Sequence, residues 1–188
     1  MGITTKVTII GNADGKGMER EDELMQVMNK LHVERANIEI MHNPHFQDGM
    51  SEKWNTTLLK ATIGEIIEKK NISQVFSFDK DGVSGHSNHM DVYTAIYALY
   101  KDEQKRSLFK LYTLHSSHIF SKYIGPFSLI KILLSQIQQK QHINSIQLNP
   151  FQTLIYLTHH RSQLTWYRIL YSICSQYTYL NQWNQIEK

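Results

Sequence analysis

Val75-Phe76-Ser77-Phe78-Asp79-Lys80-Asp81-Gly82-Val83-Ser84-Gly85-His86-Ser87-Asn88-His89 is the stretch from which the rest of the chain can be read. Residues 75–78 are an apolar run of the kind that forms a short strand, and the two glycines after it make a tight loop. Beyond the loop Val92, Ala95, Ile96 and Leu99 recur at the i, i+3, i+4, i+7 spacing of one helix face. Ser87 or Asn88 suits the N-cap of that helix. Strand, glycine loop and helix in this order are the repeating unit of an α/β sheet.

The alternation continues on both sides. Apolar runs at 6–10, 38–41 and 109–114 read as strands. Leu24, Val27, Met28 and Leu31 mark a helix between the first two, and Leu59, Ile63, Ile66 and Ile67 mark another. The pattern predicts an α/β fold, a Rossmann-like parallel sheet with helices on both faces, in a single domain over 1–188. Ligands of such sheets bind beyond the carboxyl ends of the strands, which points to loops 11–17, 43–49 and 79–89. From about 126 onward the alternation stops. A helical extension is expected there, with 151–178 as one long aromatic helix, continuous or broken.

Composition narrows the function classes. The chain has 188 residues, 41% of them apolar and 20% charged, which suits a packed domain with a sizeable core. Cys174 is the only cysteine, so no internal disulfide can form, and a small buried side chain is the expected role. No signal-peptide pattern fits the first twenty residues, and no run approaches the ~20 apolar residues that span a bilayer. The net charge of +3 divides unevenly: residues 1–100 hold ten Lys/Arg against fourteen Asp/Glu, and residues 101–188 hold ten against three. The basic half also carries Phe151, Tyr156, Trp166, Tyr167, Tyr171 and Trp183. Basic plus aromatic suits an anionic membrane surface, suits RNA, and equally describes a charged surface over an aromatic core. No nucleic-acid partner is expected, and no protein partner is identifiable.

His86 and His89, three apart at a helix start, can both face the strand ends. A neutral imidazole can ligate zinc, and a protonated one can donate to a developing oxyanion. Alone, such a pair is a weak signal that reads first as structural histidines. Asp79 and Asp81 are either turn-forming acids or groups that orient a histidine. Arg161 and Arg168 can hold a phosphate or be solvated charges on a helix.

Phe78-Asp79 followed by Gly82-Val83-Ser84-Gly85-His86-Ser87-Asn88-His89 resembles the signature of the GlcNAc-phosphatidylinositol de-N-acetylases, within the LmbE-like deacetylase superfamily. Gly11-Asn12-Ala13-Asp14-Gly15-Lys16-Gly17, with Arg20 and Glu23-Leu24, looks like the family's glycine loop and following helix. His160-Arg161-Ser162-Gln163, with Trp166 and Arg168, looks like its C-terminal motif. The resemblance implies a zinc amidohydrolase that removes the acetyl group from N-acetylglucosaminyl-phosphatidylinositol in membrane-anchor synthesis, at the cytoplasmic face of the endoplasmic reticulum membrane. It implies His89 as a zinc ligand and His86 as the catalytic group that stabilises the oxyanion or protonates the leaving amine. Arg20, Asp14, His160 and Arg161 are the residues it directs to substrate, and Asp79 and Asp81 stand behind the histidines.

The family's zinc site opens with a His-Pro-Asp-Asp-Glu segment after its first strand, and that segment does not occur in this sequence. A first strand and an upstream membrane helix are therefore expected to be missing, the chain being a truncated form whose activity is left open. Because a catalytic zinc takes about three protein ligands, zinc binding by this chain alone is expected to be weak. The alternative is a catalytically dead homologue that binds lipid or a partner. A deacetylase acting on a soluble sugar is the third possibility.

Overall fold

The computed structural model describes residues 5–10, 17–49, 52–105, 108–130 and 142–187. They fall into two compact units, one formed by 1–49 with 149–173 and the other by 50–148 with 174–188.

The first unit begins with β1 (Val7–Ile10), α1 (Gly17–Lys30) and β2 (Ile38–Met41). β1 and β2 pair in parallel, in a register that sets Val7 beside Ile38 and Ile10 beside Met41, so the segment is a strand–helix–strand crossover. α1 buries Val27 and, unusually, Glu23. Its end is written in the backbone. His32 has φ 56°, Val33 N–H bonds the Met28 carbonyl and His32 N–H bonds that of Asn29, which is a left-handed stop. Leu31 directly precedes that stop, its N–H still bonded to the Val27 carbonyl at 2.9 Å, yet it is exposed, so the covered part of the apolar stripe expected to include it closes at Met28.

The second unit holds α2 (Thr56–Lys69), β3 (Gln74–Phe78), the turn α3 (Gly82–Gly85), α4 (Ser87–Lys101), β4 (Lys110–Leu114) and α5 (Ile119–Lys122). Asn55 caps α2 by accepting from the N–H groups of Thr57 and Leu58, and Asn71 ends it with φ 50°. α2 packs on α4 with Leu59, Ile63, Ile67, Ala95, Ile96 and Leu99 buried. Gly64 faces Leu99 across this contact, where a Cβ would meet Leu99 Cδ1 at an ordinary van der Waals distance of 3.4 Å. β3 and β4 are parallel, as the alternation predicts, with Phe76 beside Tyr112.

The C-terminal region contains the expected helices in broken form, together with two strands. α6 (Pro150–His159), capped by Asn149, a 3-10 turn (Arg161–Gln163), and α7 (Trp166–Cys174) replace one long helix, and α8 (Gln176–Tyr179) follows. Residues 142–146 form β5 and residues 180–185 form β6. β6 pairs antiparallel with both β4 and β5, giving the order β3-β4-β6-β5, so this sheet is mixed and not wholly parallel. Its strand Leu180-Asn181-Gln182-Trp183-Asn184-Gln185 has little intrinsic strand preference; two flanking neighbours supply the backbone partners that hold it. Trp183 meets the ring of Phe76 edge-on at 5.3 Å, which in turn stacks on Tyr112.

Leu59 is fully enclosed between α2 and its neighbours at 0% exposure. Leu59→Ala is expected to lower the unfolding free energy of the second unit by about 2–5 kcal/mol, read as a fall in urea midpoint by circular dichroism.

Candidate functional site

The loop carrying the two histidines leaves the carboxyl end of β3, where the alternation places a site. Asp79 fixes it. Its Oδ2 accepts from Ser116 N–H at 2.6 Å, and its Oδ1 accepts from the Ser116 hydroxyl at 2.5 Å and from Asp81 N–H at 3.1 Å. Ser116 follows β4, so one carboxylate joins the ends of two parallel strands. The Ser116 hydroxyl oxygen then accepts from Val83 N–H at 2.8 Å.

The chain turns sharply here. Gly82 has φ 57°, and a Cβ on it would lie 3.0 Å from Met90 Cγ and 3.1 Å from His89 Cβ, so glycine is required for space and for conformation. Val83 has φ 66° and ψ −46°, the geometry of a γ-turn centre with positive φ, which costs a β-branched residue about 1–3 kcal/mol. Its carbonyl accepts from Lys122 Nζ at 3.1 Å.

His86 takes the N-cap position of α4, with extended backbone and its carbonyl accepting from Met90 N–H. The His89 ring stacks on Phe78 at 3.8 Å and on His86 at 4.7 Å, so the two histidines do come together at the strand end. His89 Nδ1 lies 3.1 Å from the Gly82 carbonyl oxygen. A carbonyl can only accept, so Nδ1 carries the proton and Nε2 carries the lone pair of the neutral ring. That tautomer, oriented by a backbone carbonyl, is the form in which histidine ligates a metal. Among the described residues, however, no group of three or more His, Cys, Asp or Glu side chains is gathered closely enough to hold a metal ion. The described residues present one suitable histidine and no ligand set around it.

Four neighbours of this cluster have no sequence signal. Ser116 and Lys122 hold the loop. Tyr93, one turn beyond His89 on α4, has its phenol pKa raised by burial first, then by Tyr97 and by the carboxylates of Asp79 and Asp81. Tyr177 accepts from Ser117 N–H at 2.8 Å, and burial raises its phenol pKa too, against the opposing effect of the Ser117 bonds. Asp81 contributes through its backbone: its N–H bonds Asp79 and its carbonyl accepts from Gly85 N–H.

The remaining predicted residues lie in the first unit. Arg20 pairs with Asp48 at 3.3 Å. Glu23, on α1, accepts from Ser162 N–H and from the Ser162 hydroxyl, both at 2.6 Å, tying α1 to the His160-Arg161-Ser162-Gln163 motif. Burial by itself would raise the Glu23 pKa, but those two bonds, with the charges of His160 and Arg20, outweigh it and hold it below the ordinary carboxylate value. His160 Nδ1 stands 3.8 Å from Glu23, and burial lowers its pKa despite that carboxylate. Arg161 lines a cavity of about 380 Å³ with Glu19, Asp22, Glu23, Gln26 and His159. That wall carries three carboxylates against one guanidinium, an environment that favours a cation over a phosphate. Arg168 donates to the Gln163 carbonyl and side-chain oxygen, closing the motif on itself. Asp14 and the rest of loop 11–16 lie outside the described residues.

Comparison with known proteins agrees with the motif. The chain matches the PIG-L family model, GlcNAc-PI de-N-acetylase, over residues 4–100, which include Arg20, Asp79, Asp81, His86 and His89. It is 32% identical over 171 residues to a probable N-acetylglucosaminyl-phosphatidylinositol de-N-acetylase of Schizosaccharomyces pombe, covering 89% of this chain and 68% of the relative. Similarity to the Dictyostelium discoideum protein of the same printed name is 29% over 198 residues, covering 91% of this chain and 77% of that one. For the N-acetylglucosaminyl-phosphatidylinositol de-N-acetylase of Bos taurus the identity is 30% over 174 residues, covering 93% and 68%.

Glu23 makes the first unit's stability pH-dependent. Its folded pKa is depressed, so the stability it confers is complete above the unfolded value of 4.5 and is lost as pH falls through the lower folded value. Glu23→Gln keeps the shape and removes the charge. It should cost about 1–3 kcal/mol at pH 7 and flatten the acid limb of a plot of urea midpoint against pH. An unchanged acid limb would show that Glu23 is not the group responsible.

Proposed function

The chain belongs to the GlcNAc-PI de-N-acetylase family, and from that premise we propose that it hydrolyses the acetamide of N-acetylglucosaminyl-phosphatidylinositol. The observation that supports this most directly is the pairing of His86 with an Nδ1-protonated His89 at the carboxyl end of β3. In the reaction water adds to the acetyl carbonyl carbon, the C–N bond breaks, the sugar nitrogen takes a proton, and acetate leaves. His86 is the residue to donate a hydrogen bond to the oxyanion or a proton to the departing amine. His89 offers Nε2 to a zinc ion, but the described residues supply too few further ligands for a zinc-dependent step to be derived from them. Arg20, Asp14, His160 and Arg161 are proposed as substrate-facing on the motif alone.

Action at a membrane, on the cytoplasmic face of the endoplasmic reticulum, belongs to the same proposal. No helix among the described residues is long and apolar enough to cross a bilayer. Helix α7 instead turns its apolar stripe outward: Trp166, Ile169, Leu170 and Ile173, spaced i, i+3, i+4, i+7, are all exposed, with Trp166 at 76%, while Ser172 is buried. From Gln104 to Ile186 the chain has no Asp or Glu. An exposed aromatic stripe in an acid-free segment suits the interface of an anionic bilayer.

Three measurements check this. Acetate release from N-acetylglucosaminyl-phosphatidylinositol, with zinc supplied, should fall about 10²–10³-fold in His86→Ala, which loses a transition-state donor, with the response to zinc retained. His89→Ala should lose both the activity and the zinc response. Lipid binding without any acetate release would favour the non-catalytic homologue. Zinc retained after dialysis against a mild chelator should be well below one per chain; a full equivalent would reveal ligands outside the described residues. Binding to phosphatidylcholine vesicles containing phosphatidylserine should weaken as salt rises and fall in Trp166→Ser with Leu170→Ser, and salt-insensitive binding would remove its electrostatic basis.

A further inference from the structure

We propose that Lys122 and Ser116 are positioning residues that lock His89 in its Nδ1-protonated tautomer by holding the two polar ends of Val83. The assignment rests on the reading of His89 as part of the active site, but its central measurement does not require activity.

The geometry begins with one peptide group. The Gly82 carbonyl and the Val83 N–H belong to the same rigid plane and point in opposite directions. Ser116 Oγ accepts from that N–H at 2.8 Å, and the carbonyl on the other side meets His89 Nδ1 at 3.1 Å. Ser116 is itself held at both its N–H and its hydroxyl by Asp79. The next plane along carries the Val83 carbonyl, which Lys122 Nζ holds at 3.1 Å. With both planes anchored, the positive φ of Val83 between them is imposed from outside. An unanchored valine would leave that region, turning the Gly82 carbonyl away from His89.

Lys122 is an unexpected residue for a merely structural post. It is 9% exposed, and among the described residues no carboxylate pairs with it; its neighbours are the Val83 carbonyl and the face of Tyr177, 5.9 Å from its ring centroid. Burial lowers its pKa, with no opposing charge to restore it. A buried ammonium spent on one carbonyl is expected where that carbonyl's position matters.

The experiment is histidine ¹⁵N NMR on the full chain at one pH where His89 is neutral, with its signals assigned by comparison with His89→Gln. The parent should show the Nδ1–H tautomer. Lys122→Met and Ser116→Ala should each shift His89 toward the Nε2–H tautomer that an imidazole without such an acceptor prefers. Acetate release should fall roughly 10–100-fold in kcat with KM little changed. Lys122→Arg should restore the parent tautomer. Tyr177→Phe, which removes a hydroxyl beside Ser117, should lower the melting temperature and leave the tautomer alone. If Lys122→Met does not fold, Ser116→Ala acts on the other end of the same residue and decides the matter. A His89 that stays Nδ1-protonated when these donors and acceptors are removed overturns the proposal. A parent that releases no acetate sinks the deacetylase reading instead, and the tautomer still answers the positioning question.

Discussion

Asp79 gives both carboxylate oxygens to a single residue, Ser116, and most of what surrounds the histidines depends on that clasp. Parallel strands diverge in their connections, so the carboxyl ends of β3 and β4 need something besides the sheet ladder to fix the loops that leave them. A bidentate bond from a serine N–H and hydroxyl does this without a cation. It leaves the serine oxygen able to accept from Val83, and the turn at Gly82–Gly85 hangs from that second bond. The strain at Val83 is tolerable because the contacts on either side over-determine it.

The elements that could be read from the sequence are those whose signal is local. β1 to β4 are apolar runs, and α1, α2 and α4 carry their stripes within a few turns. The spacing of His86 and His89 was enough to place both rings at one strand end. β5 and β6 escaped because Asn, Gln and Ser have little preference for strand, and β6 is held by partners far away in the chain. Ser116 and Lys122 escaped for the same reason. Their bonds to the loop span 37 and 39 residues, and Ser162 reaches Glu23 across 139. A serine or lysine carries no mark of the distant carboxylate or carbonyl it will meet. Leu31 shows the converse error, where a periodic residue at the helix end keeps its backbone bond to Val27 and is nonetheless exposed.

The first unit repeats the device of the second. Glu23 takes the N–H and hydroxyl of Ser162 just as Asp79 takes those of Ser116. In each case an acid on one element secures a loop that carries a motif histidine or leads to one, and in neither is an arginine or lysine the direct partner. Neutral dipoles suffice because each serine supplies two donors in fixed geometry, satisfying the charge where an ion pair would add a second desolvation cost.

This arrangement bears on which group can act as general base for amide hydrolysis. A base must present a lone pair to water and must gain from taking a proton. Asp79 already spends both oxygens on three hydrogen bonds within the protein, from Ser116 and Asp81, so its lone pairs are committed to the strand-end clasp. Glu23 is stabilised as the anion, its pKa held below the ordinary value chiefly by the Ser162 bonds against the effect of burial, and gains little from a proton. Hydrogen bonding to a charged form is what makes a carboxylate a poor base. Both acids are therefore fasteners. The other described titratable groups at the β3 end include the imidazoles of His86 and His89 and the carboxylate of Asp81, and the proposed chemistry is to be sought among them before it is asked of either fastener.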